Sequence, residues 1–291
     1  MKMLPVKMVP ERKSESGYIL LRDKSIKLMC FIKFDQGRYF GMDEDIKKLQ
    51  DAIDESNYIV FFGGAGVSTE SGIPDFRSQD GLYSHKYKYP PETIVSHSFF
   101  MNKTEDFYEF YKDKMLITDA KPNAAHKKLA EMEQKGKLKA VITQNIDGLH
   151  QAAGSKEVLE LHGSTLRNYC MKCGKTFSST DDDVHAGVKY ILNSDGVPRC
   201  DKCGGIIRPD VVLYEEGLDS DVISRSIKHI SKADMLIIGG TSLVVYPAAG
   251  FIDYFRGKHL AVINMSPTAR DVSADILVTK KIGEVFSQIV V

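Results

Sequence analysis

Short apolar runs that end in glycine or in polar residues recur along the chain. The first of them, Tyr58-Ile-Val-Phe-Phe62, leads directly into glycines. A continuous apolar run of this kind is typical of a parallel strand that is buried on both faces. Further strands are predicted at Ala140 to Thr143, Val158 to Leu161, Met235 to Gly239 and Ala261 to Met265. Because stretches of helical periodicity separate these runs, the pattern predicts an α/β fold with a parallel, Rossmann-like sheet.

Helical spacing predicts where the main helices lie. One helix is predicted at Asp43 to Asn57, and another at Ala124 to Lys135, where Pro122 stands near the helix start. Asn102 to Leu116 has aromatic and charged residues at helical spacing and predicts a third helix.

The predicted elements divide the chain into an α/β core, two inserts and an N-terminal segment. We expect the Rossmann-like domain to span 42–73, 119–166 and 206–291. A helical insert at 74–118 and a cysteine-rich insert at 167–205 are expected to form a smaller domain. Residues 1–41 match no catalytic motif, although 26–34 alternate between apolar and polar. We interpret them as an appendage of unknown role, and a native extension, an upstream mis-start or non-native sequence would each account for it.

Composition argues against several classes of function. The 291-residue chain is 43% hydrophobic, and its 39 Lys and Arg residues balance 39 Asp and Glu residues. No net field therefore draws the protein to nucleic acid or to an anionic membrane. No apolar run reaches the roughly 18 residues of a bilayer span, and the first 40 residues lack a secretory hydrophobic stretch with a small-residue cleavage site. We expect a cytoplasmic protein with neither nucleic acid nor membrane as a partner, and its oligomeric state is left open.

Four of the five cysteines form two C-x-x-C pairs. Cys170 with Cys173 and Cys200 with Cys203 are separated by 26 residues, and a glycine follows each pair. In a reducing compartment this spacing argues for a bound metal rather than for disulfides. Four thiolates satisfy tetrahedral zinc and leave no position for a catalytic water, so we predict a structural Zn²⁺ ion.

A glycine-rich turn follows the first predicted strand. Gly64-Ala65-Gly66 would allow backbone N–H groups to approach a pyrophosphate, which the N-terminus of a following helix would attract further. Thr69 stands where the dinucleotide fingerprint has its third glycine, so a plain strand-to-helix turn is an equal alternative. Asp75 and Arg77 lie farther along the same stretch and would place charge near the phosphates.

Polar residues follow two other predicted strands. Gln144, Asn145 and Asp147 come at the carboxyl end of a strand, where parallel α/β sheets bind ligands. The alternative is a capped loop in which Asn145 or Asp147 binds local backbone. His162 ends another strand, and histidine is the side chain most easily tuned to exchange protons near neutral pH. A lone histidine is nevertheless more often structural.

These motifs together resemble the signatures of the sirtuin family. The matching stretches are Gly64 to Arg77, Thr143 to His150 and Leu161 to Gly163, and the resemblance extends over about Asp43 to Phe286. Sirtuins also have the four-cysteine zinc module. The resemblance implies NAD contacts at Gly64, Ala65, Gly66, Ser68, Asp75, Phe76, Arg77, Gln144, Asn145, Ile146, Asp147, Gly240, Thr241, Ser242, Asn264 and Met265.

The resemblance also implies an activity, in which NAD is consumed to deacylate protein lysines. The acyl oxygen would displace nicotinamide from the ribose, and His162 would then deprotonate a ribose hydroxyl as general base. The products would be nicotinamide, free lysine and O-acyl-ADP-ribose. Asn145 and Gln144 would bind the nicotinamide ribose, and Asp147 with Ile146 would hold the carboxamide. His162 and Asn145 are accordingly the expected catalytic residues.

The peptide substrate is expected to contact an extended segment at Arg208 to Glu216. Such a valine-rich segment could add a peptide strand to its edge, and an ordinary edge strand is the alternative. The sirtuin resemblance implies that acyl-lysine contacts Val211, Val212, Leu213 and Tyr214. Glu215 stands where the family usually has glycine. Leu82 and His85 stand where desuccinylating members have tyrosine and arginine, which implies a pocket for acetyl or longer uncharged acyl groups.

Two other functions remain open. The same NAD site could serve ADP-ribosyl transfer to a protein or a nucleic acid. No motif separates the two activities cleanly, although His162 and the strand-like Val211 to Tyr214 favour deacylation. A zinc-ribbon or NAD-sensing module without turnover would not need His162, Asn145 and Asp147 together, and all three are present.

Overall fold

The computed structural model describes residues 9–13, 18–22, 29–33, 43–76, 81, 87–180 and 182–291. The chain divides into two compact units, Met1–Lys47 and Lys48–Val291. The first unit contains an antiparallel sheet in the order β1-β2-β3, formed by β1 (Val9–Lys13), β2 (Tyr18–Arg22) and β3 (Met29–Lys33). The expected appendage at 1–41 thus contains a sheet, and the alternation around 26–34 corresponds to its third strand.

The second unit contains two sheets. Its strands are β4 (Ile59–Gly63), β5 (Leu138–Thr143), β6 (Val158–Glu160), β7 (Gly163–Cys170), β8 (Thr176–Ser178), β9 (Ile207–Val211), β10 (Met235–Gly239), β11 (His259–Ile263) and β12 (Ile276–Val278). The larger sheet has the order β12-β11-β10-β4-β5-β6, and every neighbouring pair is parallel. All residues of β4 and β10 are buried, which explains their unbroken apolar sequences. The predicted α/β fold with a parallel sheet is confirmed.

The helices agree with the sequence pattern except in the first insert. They are α1 (Glu44–Glu55), α2 (Pro91–Ile94), α3 (His97–Asn102), α4 (Thr104–Phe110), α5 (Ala124–Gln134), α6 (Leu149–Ala152), α7 (Ala186–Leu192), α8 (Ser220–Lys232) and α9 (Ile282–Gln288). The single helix expected at Asn102 to Leu116 is instead α4 followed by one π-helical turn, Tyr111–Met115. Within the described ranges, no helix is both long and apolar enough to cross a membrane.

The smaller sheet shares a hydrophobic core with the helical insert. Its strands are antiparallel in the order β8-β7-β9. Phe100, Phe107 and Tyr108 of the insert lie in one buried cluster with Cys170 and Ile207 of the sheet. The Tyr108 hydroxyl also donates a hydrogen bond to the backbone oxygen of Ile207. The sheet begins before 167 and ends after 205, so it extends beyond the cysteine-rich insert on both sides.

Two histidines, on helices α5 and α6, are buried against each other. The rings of His126 on α5 and His150 on α6 have their centroids 4.7 Å apart, and both side chains are almost fully buried. Burial lowers the pKa of His126 to about 4 and holds the pKa of His150 well below its ordinary value. Both imidazoles are therefore neutral in the folded protein at pH values where they would be charged after unfolding.

This pair predicts a specific loss of stability in acid. Below about pH 6.5 the unfolded chain binds protons at these sites and the folded chain does not, so the free energy of unfolding falls by about 1.4 kcal/mol per pH unit for each histidine. For His126 the fall continues down to about pH 4. Urea denaturation of the wild type and of His150→Phe at pH 7.5, 6, 5 and 4.5 measures the effect. We expect a shallower pH dependence in the variant, and the pH 7.5 values isolate its packing cost. Parallel curves for the two proteins would contradict the prediction.

Candidate active site

Three loops meet at the carboxyl edge of the large sheet. Gly63 at the end of β4 pairs with Thr143 of β5 on one side and with Gly239 of β10 on the other. From β4 the chain adds β5 and β6 in one direction and later returns to place β10 on the opposite side. Such a reversal opens a crevice outside the carboxyl ends of the strands, where α/β proteins bind ligands.

The glycines of the first loop are required by contact with the loop after β10. A Cβ atom on Gly64 would lie 2.8 Å from Cβ of Thr241, and one on Gly66 would lie 2.8 Å from Cα of Gly240. The backbone N–H of Gly66 donates to the oxygen of Gly240 at 2.8 Å. Gly240 itself has a φ of +57°, in the left-handed region that favours glycine. These glycines therefore have a structural function in addition to any approach of a phosphate.

The helix expected directly after these glycines in the chain is absent from the described residues up to 76. Ala65–Val67 and Thr69–Ser71 are single 3₁₀ turns. The second turn ends at Gly72, whose φ of +87° is left-handed, and Pro74 follows two residues later. A left-handed residue and a proline both oppose continuation of a helix. The expectation that a helix N-terminus supports the phosphates at this place is therefore wrong.

Ser68 joins the first loop to the loop after β5. Its hydroxyl donates to Oδ2 of Asp147 at 2.7 Å and accepts from Nδ2 of Asn145 at 3.1 Å. The other carboxylate oxygen of Asp147 accepts from the N–H of Leu149 at 2.9 Å. Burial raises the pKa of Asp147 above its ordinary value, and the bonds from Leu149 and Ser68 oppose this shift. Three residues predicted from two separate motifs thus form one hydrogen-bonded cluster.

His162 lies beside this cluster in a defined orientation. Its Nδ1 is 3.0 Å from the backbone oxygen of Gln144. Because a carbonyl oxygen only accepts, Nδ1 carries the proton, and Nε2 of the neutral ring holds a free lone pair. Burial lowers the pKa of His162 below its ordinary value, and the bond to Gln144 opposes the shift only in part. The side chain is therefore suited to act as a base near neutral pH.

The remaining predicted cofactor residues lie on the same edge or just beyond it. Nε2 of Gln144 donates to Oγ1 of Thr241 at 3.0 Å, which joins the second and third loops. The oxygen of Ile146 accepts from the N–H of Thr165 at 2.9 Å.

Asn264 and Met265 follow β11, and Met265 is 58% exposed. Three further members lie in these loops: Asp75, Phe76 and Ser242. Predicted residue Arg77 lies outside the described residues, as do Leu82 and His85.

A cleft of about 660 Å³ is lined by the chain neighbours of His162 and by part of the predicted substrate segment. Leu161 and Gly163, the neighbours of His162, line it together with Val211 and Val212. The N–H of Val212 donates to the backbone oxygen of His162 at 3.0 Å, so the segment is tied directly to the histidine. Tyr214 is 38% exposed, and its backbone forms hydrogen bonds with Val95 and His97. Leu213 is buried.

Glu215 is held in an unusual conformation after this segment. Its φ is +78°, a left-handed value that favours glycine, the residue the family usually has here. Its carboxylate accepts from the N–H and the hydroxyl of Ser98, both at 2.8 Å. These bonds offset part of the conformational cost. The neighbouring Glu216 accepts from Arg208 at 2.6 Å and from the N–H of Leu213 at 2.9 Å.

The four cysteines converge as the spacing predicted. Their Sγ atoms all lie within 4.8 Å of one another, with 3.4 Å between Cys170 and Cys203 and 3.7 Å between Cys173 and Cys200. A tetrahedral site with Zn–S bonds of about 2.3 Å requires S–S separations of about 3.8 Å. The donor set therefore fits a structural zinc ion, and four thiolates leave no open coordination position.

Two residues that support the first loop were not predicted from the sequence. The side chain of Asn123 binds Val67 and Ser71, and the carboxylate of Glu70 accepts from the N–H of Gly283 at 2.6 Å. Asn123 precedes a helical run, which is a recognised N-cap signal, but that signal does not reveal the contacts with the loop. Nothing in the local pattern marks Glu70.

The fold and this site define a nucleotide-binding α/β enzyme that contains a zinc module. The model of the Sir2 family matches residues 64–247. An NAD-dependent protein deacetylase of Clostridium acetobutylicum is 59% identical over 250 residues, which cover 85% of this chain and 98% of that relative. An NAD-dependent protein deacetylase of Clostridium perfringens is 58% identical over 252 residues, covering 86% and 100%. The chain belongs to the Sir2 family, the sirtuins.

A solved structure supports the same assignment. A Sir2 complex with deacetylated p53 peptide and 3'-O-acetyl ADP-ribose superimposes with a TM-score of 0.74 at 40% identity. The match covers 84% of this chain and 96% of that one. Similarity at this level extends the family assignment from the signature motifs to the 84% of the chain that the match covers.

The zinc site predicts a local loss of structure when one ligand is removed. Cys173→Ser leaves three thiolates, so we expect zinc to fall from about one ion per chain to well below that value. Because Cys170 and Cys200 belong to the small core, the melting temperature should also fall. Metal analysis by mass spectrometry and thermal melts check both effects. Cys30→Ser, which changes the one cysteine that belongs to neither C-x-x-C pair, is the matched control and should keep its zinc. Full zinc retention in Cys173→Ser would refute the assignment.

Proposed function

We propose that the protein is an NAD-dependent protein lysine deacetylase. It consumes NAD, acetyl-lysine and one water molecule, and it produces nicotinamide, free lysine and O-acetyl-ADP-ribose. Relatives up to 59% identical bear the name NAD-dependent protein deacetylase, and one similar Sir2 structure contains a deacetylated peptide with an acetylated ADP-ribose. The family membership and the geometry of the cluster around Ser68 support this activity.

The orientation of His162 is the observation that favours catalysis over binding alone. The bond from Nδ1 to Gln144 fixes the tautomer, and Nε2 is left to accept a proton from a ribose hydroxyl. The lowered pKa keeps this nitrogen unprotonated at neutral pH. A histidine that served only packing would not need a fixed tautomer beside a ligand crevice.

The chain's other residues position the two substrates. The hydrogen-bonded cluster of Ser68, Asn145 and Asp147 is preorganised, and we assign to it the binding of the nicotinamide ribose and carboxamide. Val211, Val212, Leu213 and Tyr214 are assigned to the acyl-lysine peptide. The first two line the cleft together with the neighbours of His162, and the N–H of Val212 binds the backbone oxygen of His162. Holding two reactants in attack geometry lowers a barrier by about 7–11 kcal/mol in favourable cases. The main work of the protein is thus to orient substrates and to move one proton.

Three finer assignments belong to the same proposal. The peptide would lie between the large domain and the small domain made of the insert at 74–118 and the cysteine-rich insert at 167–205. Longer uncharged acyl groups are proposed as additional substrates, since the resemblance places Leu82 at the position of the carboxylate-binding tyrosine. A cytoplasmic location is also proposed, because zinc-binding thiolates are favoured in a reducing compartment.

Replacing His162 tests the proposed chemistry. The purified protein is incubated with NAD and an acetyl-lysine peptide, and mass spectrometry follows deacetylated peptide, nicotinamide and O-acetyl-ADP-ribose. We expect equal amounts of all three products from the wild type. His162→Ala should lower kcat by about 10²-fold or more, because a general base contributes typically 10²–10⁴-fold. The acid limb of the wild-type pH profile should have its midpoint below about 6.5, since burial lowers this pKa.

The control and the contrary outcomes separate the alternatives. His185→Ala removes a histidine in the small module and should retain activity. Release of nicotinamide without deacetylation would favour ADP-ribosyl transfer or NAD hydrolysis. Absence of turnover with acetyl, longer-acyl and succinyl peptides would favour a binding module.

Glu215→Gly tests the assignment of the peptide segment. Glycine adopts the left-handed conformation freely, but the variant loses both bonds to Ser98 and frees the loop beside the cleft. We expect KM for the peptide to rise by about threefold to tenfold, as one or two partly exposed hydrogen bonds would suggest, with KM for NAD unchanged. Steady-state kinetics with each substrate varied in turn measures both constants. Ser98→Ala, which removes the hydroxyl and keeps the backbone donor, should have a smaller effect. An equal change in both KM values would argue against a peptide-side function.

A further inference from the structure

The side chain of one asparagine, Asn123, forms hydrogen bonds with the first loop of the crevice. Nδ2 of Asn123 donates to the backbone oxygen of Val67 at 2.7 Å and to Oγ of Ser71 at 3.0 Å. Oδ1 of the same side chain accepts from the N–H of Ala125 at 2.9 Å, as the N-cap of α5. Every polar atom of this side chain therefore has a partner, and its amide orientation is determined by them.

Asn123 is held in place by the buried helix α5. Its backbone N–H donates to Nδ1 of His126 at 3.3 Å, which completes a capping box with the cap of α5. His126 and Leu129 on the same helix are fully buried. The position of Asn123 is thus determined by a buried helix and not by the loop that it contacts.

The two residues that Asn123 holds lie on either side of Ser68. Val67 precedes Ser68 and Ser71 closes the following 3₁₀ turn, while Ser68 itself binds Asn145 and Asp147. A shift of this loop by a fraction of an ångström would lengthen both bonds of Ser68. We propose that Asn123 is a positioning residue for the NAD site, which keeps Ser68 within hydrogen-bonding distance of Asn145 and Asp147.

This inference rests on the proposed use of NAD, and the competing explanation is that Asn123 serves only as a helix cap. Asn123→Asp separates the two. Aspartate is an N-cap as good as asparagine, so the cap of α5 is retained. A carboxylate has no N–H, however, and the oxygen of Val67 then faces an acceptor instead of a donor. The variant removes the bond to Val67 and keeps the helix cap, while the hydroxyl of Ser71 can still donate to the new carboxylate.

Asp234→Ala is the matched control for a lost side-chain bond to backbone. The carboxylate of Asp234 accepts from the N–H groups of Asn57 at 2.8 Å and Tyr58 at 3.0 Å. These residues precede β4 and β10, at the edge of the sheet opposite the crevice. The control therefore loses stability without any change at the first loop.

Steady-state kinetics with NAD and peptide varied in turn provides the first readout. For Asn123→Asp we expect KM for NAD to rise about tenfold, equivalent to about 1.4 kcal/mol, with KM for the peptide within about twofold of the wild type. Its melting temperature should remain near that of the wild type. Asp234→Ala should melt lower and keep its KM for NAD. An unchanged KM for NAD in Asn123→Asp would overturn the proposal, as would an equal rise in the control.

Hydrogen exchange of the protein without NAD gives a second readout that does not require turnover. The amides of Ser68, Ser71 and Gly72 donate within the loop, to the oxygens of Ala65, Ser68 and Thr69 respectively. We expect Asn123→Asp to accelerate their exchange about tenfold, while Asp234→Ala leaves them unchanged. If the wild type proved inactive, the proposed function would fail, and exchange would still decide whether Asn123 positions the loop. Unchanged exchange in Asn123→Asp would refute its positioning function.

Discussion

The site depends on the parallel pairing of β4 with both β5 and β10. Gly63 lies in register with Thr143 on one side and with Gly239 on the other, so three strands end at the same level. In a parallel sheet the carboxyl ends of all strands lie at one edge. The three loops that follow these strands are therefore adjacent at that edge. Residues that are far apart in the chain, such as Gly66 and Gly240, thereby come within hydrogen-bonding distance of each other.

The loops at this edge stabilise each other before any ligand is considered. Gly66 contacts Gly240, Gln144 contacts Thr241, and Ser68 joins Asn145 to Asp147. Such a network presents its polar groups in a fixed arrangement, which lowers the reorganisation that binding or catalysis requires. It also explains why small residues are needed here, since a Cβ atom on Gly64 or Gly66 would collide with the opposite loop.

The small module is stabilised by two different means. Aromatic side chains such as Phe107 and Tyr108 provide an apolar core, and the four cysteines provide a cross-link through zinc. A small antiparallel sheet with short strands buries too little surface to be stable alone, so a metal site is an effective supplement. Because β7 begins one residue after His162 and β9 ends at Val211, this module also determines the position of the cleft.

Much of the fold could be predicted from the sequence, because several of its constraints are local. Strands such as Met235–Gly239 are buried on both faces and must be continuously apolar, and the two C-x-x-C pairs already have the spacing of a zinc site. The contacts of Asn123 with the first loop, the pairing of His126 with His150 and the left-handed Glu215 could not be predicted. Each of these depends on which distant residue arrives next to it. The sequence by itself therefore determined the elements, the zinc ligands and the family motifs, which depend on local pattern and spacing. Only the tertiary structure decided the tautomer of His162 and the support of the first loop, because those depend on hydrogen bonds between segments far apart in the chain.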